Sequence, residues 1–522
     1  MEIQADRIPK LIAEPQQPEQ DTAPRAQIIL FWSAAAVAAL CIDFGAFHRL
    51  HNSDSIVPVM MSLYRWTPFY WEQDRFGMLV PLLAIPFKSP LANLLVQSAI
   101  NAFCGLAAFF LCARYVIPKA WLFTGALSAS LFLLFNSVDA RFLYLGLSQP
   151  YGVGMFLGFA GLLLLENSKY PRGPRIIASF LFLLAASWVD AAVMFVLLPV
   201  IFFRWYFNRD ARRRSARFDG LLNLEVGIAM VLVFLSFVAS YVYSGIVSYS
   251  AAYGDWPYPP VPPWRWPAVW FQFGGTIWTD YLNQPWGISV AALLVLGAIV
   301  RLATRGGIRR TNFPAANLVA SSLASFLMMG SLSHIQNADY DPRFGLQSMV
   351  LLQIGAVVWA LSPFYSLANF TGRRALTAAS LILFLSTPLY LYGRPSLARV
   401  RADLDETLGE YTLEILQSDA THIAGDYWKV WPATFHANLT LYKMGSSRKL
   451  WAVTYRSTPT RIFWSQIPRE KMRFATIAGD SSVSDALNLY SLAPVATEQT
   501  FKNIVILKPV PTTEKSQKQL SK

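Results

Sequence analysis

The chain has 522 residues, 54% hydrophobic and only 14% charged, with a net charge of +13. A soluble globular protein carries about 25% charged residues, so this composition excludes that class. The basic excess does not mark a nucleic-acid binder, because the Lys and Arg sit between long apolar runs, where membrane topology places them.

Residues 1–25 are polar and Pro/Gln-rich, without the charged-then-apolar layout of a cleaved signal peptide, and read as a disordered cytoplasmic segment. Residues 26–392 form eleven apolar segments, many near the roughly 20 residues that cross a bilayer. They are 26–47, 90–116, 120–135, 149–165, two halves of 175–207, 221–244, 286–300, 314–332, 345–363 and 375–392. The run 175–207 is too long for one straight crossing and breaks at Trp188-Val189-Asp190, since a central Asp is costly in lipid. With the N-terminus inside, the inner segments carry 20 Lys and Arg against seven in the short outer loops. The first outer loop is then 48–89, and an odd number of spans puts the tail outside. Cys41, Cys104 and Cys112 all lie in apolar stretches, which gives neither a disulfide framework nor a zinc spacing.

The tail, 393–510, reads as a small extracytoplasmic α/β domain. Helical text ("LARVRADLDETLGEYTLEILQ", "YWKVWPATFHANLTLY") alternates with strand-like text ("THIAGDY", "KLWAVTY", "RFATIAG", "NIVILKP"), which predicts a mainly parallel sheet. Residues 511–522 are polar and read as disordered. The fold class is an all-α polytopic membrane bundle of about eleven spans with this α/β domain appended.

The outer loops hold the residues with chemical potential. Asp54 lies in "HNSDSIVPVMMSLY", just beyond the first span, at the start of a stretch that reads as an interfacial amphipathic helix despite Pro58. A carboxylate shielded there by aromatics and lipid makes a better base. Ser53-Asp54-Ser55 is equally a good helix-capping cluster. In "YWEQDRFG", Glu72 and Asp74 are second-acid candidates and Arg75 a phosphate-binding candidate, although a solvated ion pair explains them as well. Arg343 in "NADYDPRFGLQ" and Arg141 beside Asp139 have the forked geometry that grips phosphate, or anchor their helices through those acids. Trp264 and Trp266, in a Trp/Pro-rich loop, suit either a sugar ring or the headgroup belt. Asp43 and Asp190 are acids within or at the ends of spans. No spacing fixes a metal site, so a divalent cation (Mg²⁺ or Mn²⁺) stays open.

An acid just after span one, a small/Met-patterned helix, and then "FYWEQDRFGMLVPLLAIPF" resemble the GT-C superfamily of integral-membrane glycosyltransferases, which includes protein O-mannosyltransferases and aminoarabinose transferases. "SWVDAAV" looks like that fold's paired short helices, and "DPRFGLQSMVLLQIGA" like its late Arg-aromatic span start. "AGDYWKVWPATF" is similar to a Tyr-Trp segment of outer domains in some members. The resemblance implies a bacterial inner-membrane enzyme that moves a sugar from a polyprenyl-phosphate donor to a glycan, lipid or protein acceptor, inverting the anomeric carbon, with Asp54 as base. The sequence departs from the family in having Asp54-Ser55 where many relatives have Asp-Glu. Two further readings are a flippase for lipid-linked sugars and a non-catalytic envelope-assembly protein.

Overall fold

The computed structural model describes residues 25–71, 77–212, 219–247, 260–303, 313–454, 456, 471–488 and 492–511. The expectations of disorder for 1–25 and 511–522 fall, save for Arg25 and Pro511, outside the described residues, as do Glu72, Asp74 and Arg75.

Lipid offers no hydrogen bonds to the backbone, so apolar runs must pair their own amides as helices. Each of the eleven expected segments is one: α1 (Arg25–Asp43), and after α2 (Ser53–Tyr64), α3 (Pro90–Val116), α4 (Trp121–Phe135), α5 (Tyr151–Leu165), α6 (Arg172–Val189), α7 (Met194–Arg212), α8 (Asp219–Val247), α9 (Pro285–Ala303), α10 (Phe313–Gly330), α11 (Leu346–Leu367) and α12 (Phe370–Tyr392). Among the described residues seven helices are long and apolar enough to cross a membrane, and shorter apolar stretches lie in α4, α5, α7 and α8. The molecule is a polytopic membrane bundle.

The long run breaks where Asp190 stands. Its backbone is extended (φ −151°, ψ 100°), and its carboxylate accepts from the Ala192 amide at 3.1 Å, capping a single 3₁₀ turn before α7 begins. A side chain that satisfies a free amide starts a new helix there.

In α2, Asn52 and Ser55 form a reciprocal capping box. Pro58 has no N–H, so the Asp54 carbonyl one turn earlier loses its helical partner and instead accepts from the Tyr70 hydroxyl at 3.3 Å. The expectation of an interfacial helix with one face on lipid is corrected: Ser53–Ser62 are buried on all sides. One face lies on α3, and the other is covered by the tail domain, whose Val430, Trp431 and Phe435 share a single apolar core with Ile56, Val59, Met60 and Trp71.

The tail begins with α13 (Leu397–Leu408) and α14 (Thr412–Gln417), separated at Gly409 where one helix was expected. Then come β1 (His422–Ala424), α15 (Tyr427–Lys443), β2 (Trp451–Val453), β3 (Phe474–Ile477), β4 (Leu492–Thr500) and β5 (Ile504–Pro511). The sheet order is β2-β1-β3-β5-β4. β1 runs parallel to β2 and β3, but β5 is antiparallel to both β3 and β4, so the sheet is mixed rather than mainly parallel. The tight connection between β4 and β5 makes a hairpin, which forces antiparallel pairing. Arg49, just past α1, ties the tail down through Asp403 (2.7 Å) and Glu406 (3.2 Å).

Candidate functional site

Asp54 sits in the first turn of α2 with only 5% of its surface exposed. The Tyr427 hydroxyl, from the first turn of α15, donates to its Oδ1 at 2.6 Å. Tyr70 stands 2.8 Å from the same phenol, so two tyrosines from separate segments share one hydrogen-bonded cluster with the acid. Asp426 caps α15 through the Trp428 amide, and the Ser53 hydroxyl donates to the Tyr427 carbonyl at 2.6 Å. These bonds fix where the phenol emerges. The Arg456 guanidinium lies 4.8 Å from the Tyr427 ring centre. A carboxylate buried this deeply needs such donors to remain in place.

Behind the acid runs a second buried polar chain. His48 Nε2 lies 3.5 Å from Asp43, His48 Nδ1 2.8 Å from His51 Nε2, and His51 Nδ1 3.1 Å from the Ser55 hydroxyl. Burial, reinforced by His48, holds the His51 imidazole well below the usual histidine range. The chain joins the end of α1 to the cap of α2 and so sets the position of Asp54.

Pro58, one turn from Asp54, lines a narrow cleft with Gly77, Met78, Gln97, Asn101, Pro150 and Val189. Its volume of about 20 Å³ admits a single water. The far end of the first loop closes one wall: the Gly77 amide donates to the Trp188 carbonyl at 2.6 Å. A Cβ on Gly77 would come within 2.2 Å of the Trp188 ring, so only glycine allows this approach. Trp188 and Val189 bring this wall to the α6–α7 break. Gln347 of α11 donates there to Asp190 at 2.7 Å and to the Tyr151 carbonyl at 3.3 Å.

Arg343 stands one turn before Gln347, in the 3₁₀ turn that opens α11. Its Nε lies 3.1 Å from Asp341, and its guanidinium 5.0 Å from the Phe344 ring centre. Arg141 directs Nε to the Ser137 carbonyl (3.3 Å) and Nη1 to the Leu133 carbonyl (3.1 Å), with Tyr392 beneath it. It braces a helix end. Trp264 is 80% exposed, whereas Trp266 donates to the Val261 carbonyl at 2.6 Å and leans on Trp270. Among the described residues no group of three or more His, Cys, Asp or Glu is placed to hold a metal ion.

The structure therefore joins Asp54 to the tail domain, and joins Asp190 through Gln347 to the helix that Arg343 opens. Sequence reasoning missed Tyr427 and Tyr70 as partners of Asp54. Pro58 was the available signal, since a proline early in a helix leaves a carbonyl for some other donor.

No family model matches the chain, and no curated protein matches it. Among solved structures it is similar to ArnT from Cupriavidus metallidurans, in a crystal structure with undecaprenyl phosphate bound. The TM-score is 0.47 and the identity 12%, over 93% of this chain and 98% of that one.

Proposed function

We propose that this chain is an integral-membrane glycosyltransferase of the GT-C type, which takes a sugar from a polyprenyl-phosphate donor and passes it to a hydroxyl of a glycan, lipid or protein acceptor. The reaction takes place at the tail-domain end of the bundle, on the outer face of a bacterial inner membrane, with the N-terminus in the cytoplasm. One observation carries this reading. A buried carboxylate, Asp54, accepts from the Tyr427 phenol, itself in contact with the Tyr70 hydroxyl, at the seam between the membrane helices and the tail, one turn from a cleft that reaches the α6–α7 break.

Asp54 accepts the proton of the acceptor hydroxyl as its oxygen attacks the anomeric carbon. The bond from that carbon to the phosphate oxygen breaks, its electrons leave with the phosphate, and a single displacement inverts the centre. The donor's isoprenoid chain remains in the bilayer, between helices. Arg343, held beside Asp341, offers its remaining N–H groups to the departing phosphate. Arg141 is the weaker candidate because its Nε and Nη1 already serve carbonyls. Trp264, open to its surroundings, is the better candidate for stacking a sugar. A divalent cation, if used, would be held by Glu72, Asp74 and the donor phosphate. At 5% exposure Asp54 meets an acceptor only when the Tyr427 phenol moves aside, so the proposal includes a shift of the tail against α2.

The test is a transfer assay with purified protein in liposomes and a labelled polyprenyl-phosphate sugar. Release of the sugar from its phosphate by the wild type, and loss of that release in Asp54→Asn, is the expected result. Sugar that crosses the bilayer with its phosphate bond intact would select a flippase and end the proposal.

A further inference from the structure

A cavity with charged walls lies at the other end of the bundle and takes no part in this chemistry. It measures about 230 Å³, far more than the ~10–15 Å³ one water needs. Tyr115 at the end of α3, Glu166 at the end of α5, Arg204 and Trp205 late in α7, and Glu225 early in α8 line it. Arg204 pairs with Glu166, and Arg175, 7% exposed, pairs with Glu225 at 3.2 Å. The Nε of Arg175 has no hydrogen-bond partner. Deeper in the bundle the walls turn apolar, with Leu162, Leu165, Ile201 and Ala229. Beside the opening, Phe202, Tyr206, Val231 and Phe234 present apolar surface outward, as helices facing acyl chains do.

We propose that this cavity binds one phospholipid with a zwitterionic, primary-amine headgroup, of the phosphatidylethanolamine class, from the leaflet opposite the reaction. The polar rim and apolar floor match an amphiphile whose headgroup sits at the helix ends and whose chains follow α7 and α8. The walls hold both signs of charge: Glu166 and Glu225 against Arg204, with Arg175, outside the lining, paired to Glu225. A purely anionic ligand would meet two carboxylates, and a purely cationic one the Arg204 guanidinium. A zwitterion satisfies both, its phosphate on the arginine side and its ammonium on the carboxylates. The carboxylate oxygens of Glu166 and Glu225 ask for N–H donors, which a primary amine has and choline lacks. Arg204 already lies over the Tyr115 ring, 4.0 Å from its centre, on a face a quaternary ammonium would use.

The test is native mass spectrometry on full-length protein, stripped of lipid in detergent and then offered phosphatidylethanolamine, phosphatidylcholine or phosphatidylglycerol singly. Water-soluble phosphoethanolamine is a fourth arm. The expected result is one retained phosphatidylethanolamine per chain, held at least about tenfold more tightly than the other two lipids, and no retention of the soluble headgroup. Ala229→Phe fills the cavity while leaving both ion pairs intact. It should abolish retention without changing helix content or the unfolding midpoint in lipid-free micelles. Arg204→Gln should weaken retention as well. Equal retention of the three lipids, tight binding of the soluble headgroup, or undiminished binding by Ala229→Phe would each overturn the proposal.

Discussion

Tyr427→Phe removes one oxygen, and the consequence can be worked from the contacts of that oxygen. The phenol donates at 2.6 Å to a buried carboxylate and stands 2.8 Å from Tyr70. A hydrogen bond to a charged group contributes about 1.5–3 kcal/mol, and a buried acceptor deprived of it bears its own desolvation cost. The variant should therefore lose about 1.5–3 kcal/mol of stability, a factor of ten or more in the unfolding equilibrium. The assay is denaturant unfolding in micelles, followed by tryptophan emission, for wild type, Tyr427→Phe, Asp54→Ala and the double variant. Because the two side chains touch, their effects should not add, and a coupling energy of at least about 1 kcal/mol is expected. Transfer should also slow in Tyr427→Phe, since the acid is held less firmly. Additive losses, within about 0.5 kcal/mol, would mean that tail and acid are not coupled as described.

Gly77→Ala places a methyl group 2.2 Å from the Trp188 ring, so the loop must lift from the α6–α7 break, at a cost of about 1–3 kcal/mol. Limited proteolysis of the first loop should become faster, and protection equal to wild type would contradict the contact. Burial holds the His422 imidazole down at about 3, against 6.5 for the ordinary group. The unfolded tail then binds the proton that the folded tail refuses, so stability is full above pH 6.5 and falls as the pH drops towards 3. At pH 5 the loss is about 2 kcal/mol, from roughly 1.4 kcal/mol per pH unit. Unfolding midpoints measured from pH 7 to pH 4 should show this slope in wild type and a flatter one in His422→Gln. Arg343→Ala should raise KM for the donor and lower kcat together, while Arg343→Lys recovers only part, because a point charge lacks the fork. Steady-state kinetics across donor concentrations distinguishes these cases.

Much of the architecture was legible from apolar run length alone, because the bilayer leaves the backbone no alternative to helix. The break at Asp190 was legible for the same reason, since one acid in the middle of a 33-residue run has a single economical solution. Four of the five strands stood out as β-branched, apolar text. Strand β4, "LAPVATEQT", did not, because its Pro and polar residues give no alternation and its pairing depends on β5. The orientation of β5 was hidden with it, and hence the mixed sheet. What one sequence does not carry is which surfaces meet. The text of α2 suggested a lipid-facing helix because its partner, α15, lies more than 360 residues away. The hydrogen bond between Asp54 and Tyr427 spans 373 positions and leaves no local pattern. The carbonyls at a helix end that Arg141 bonds are likewise invisible in side-chain text.

Single-turnover release of sugar from a labelled polyprenyl-phosphate donor by Asp54→Asn tests the central claim most directly. The amide keeps the shape of the side chain and can still accept from Tyr427, but it cannot take a proton. The account predicts a rate reduced by roughly 10²–10⁴-fold, the range general-base help supplies, with the unfolding midpoint nearly unchanged. Release at the wild-type rate by a folded Asp54→Asn protein would contradict it.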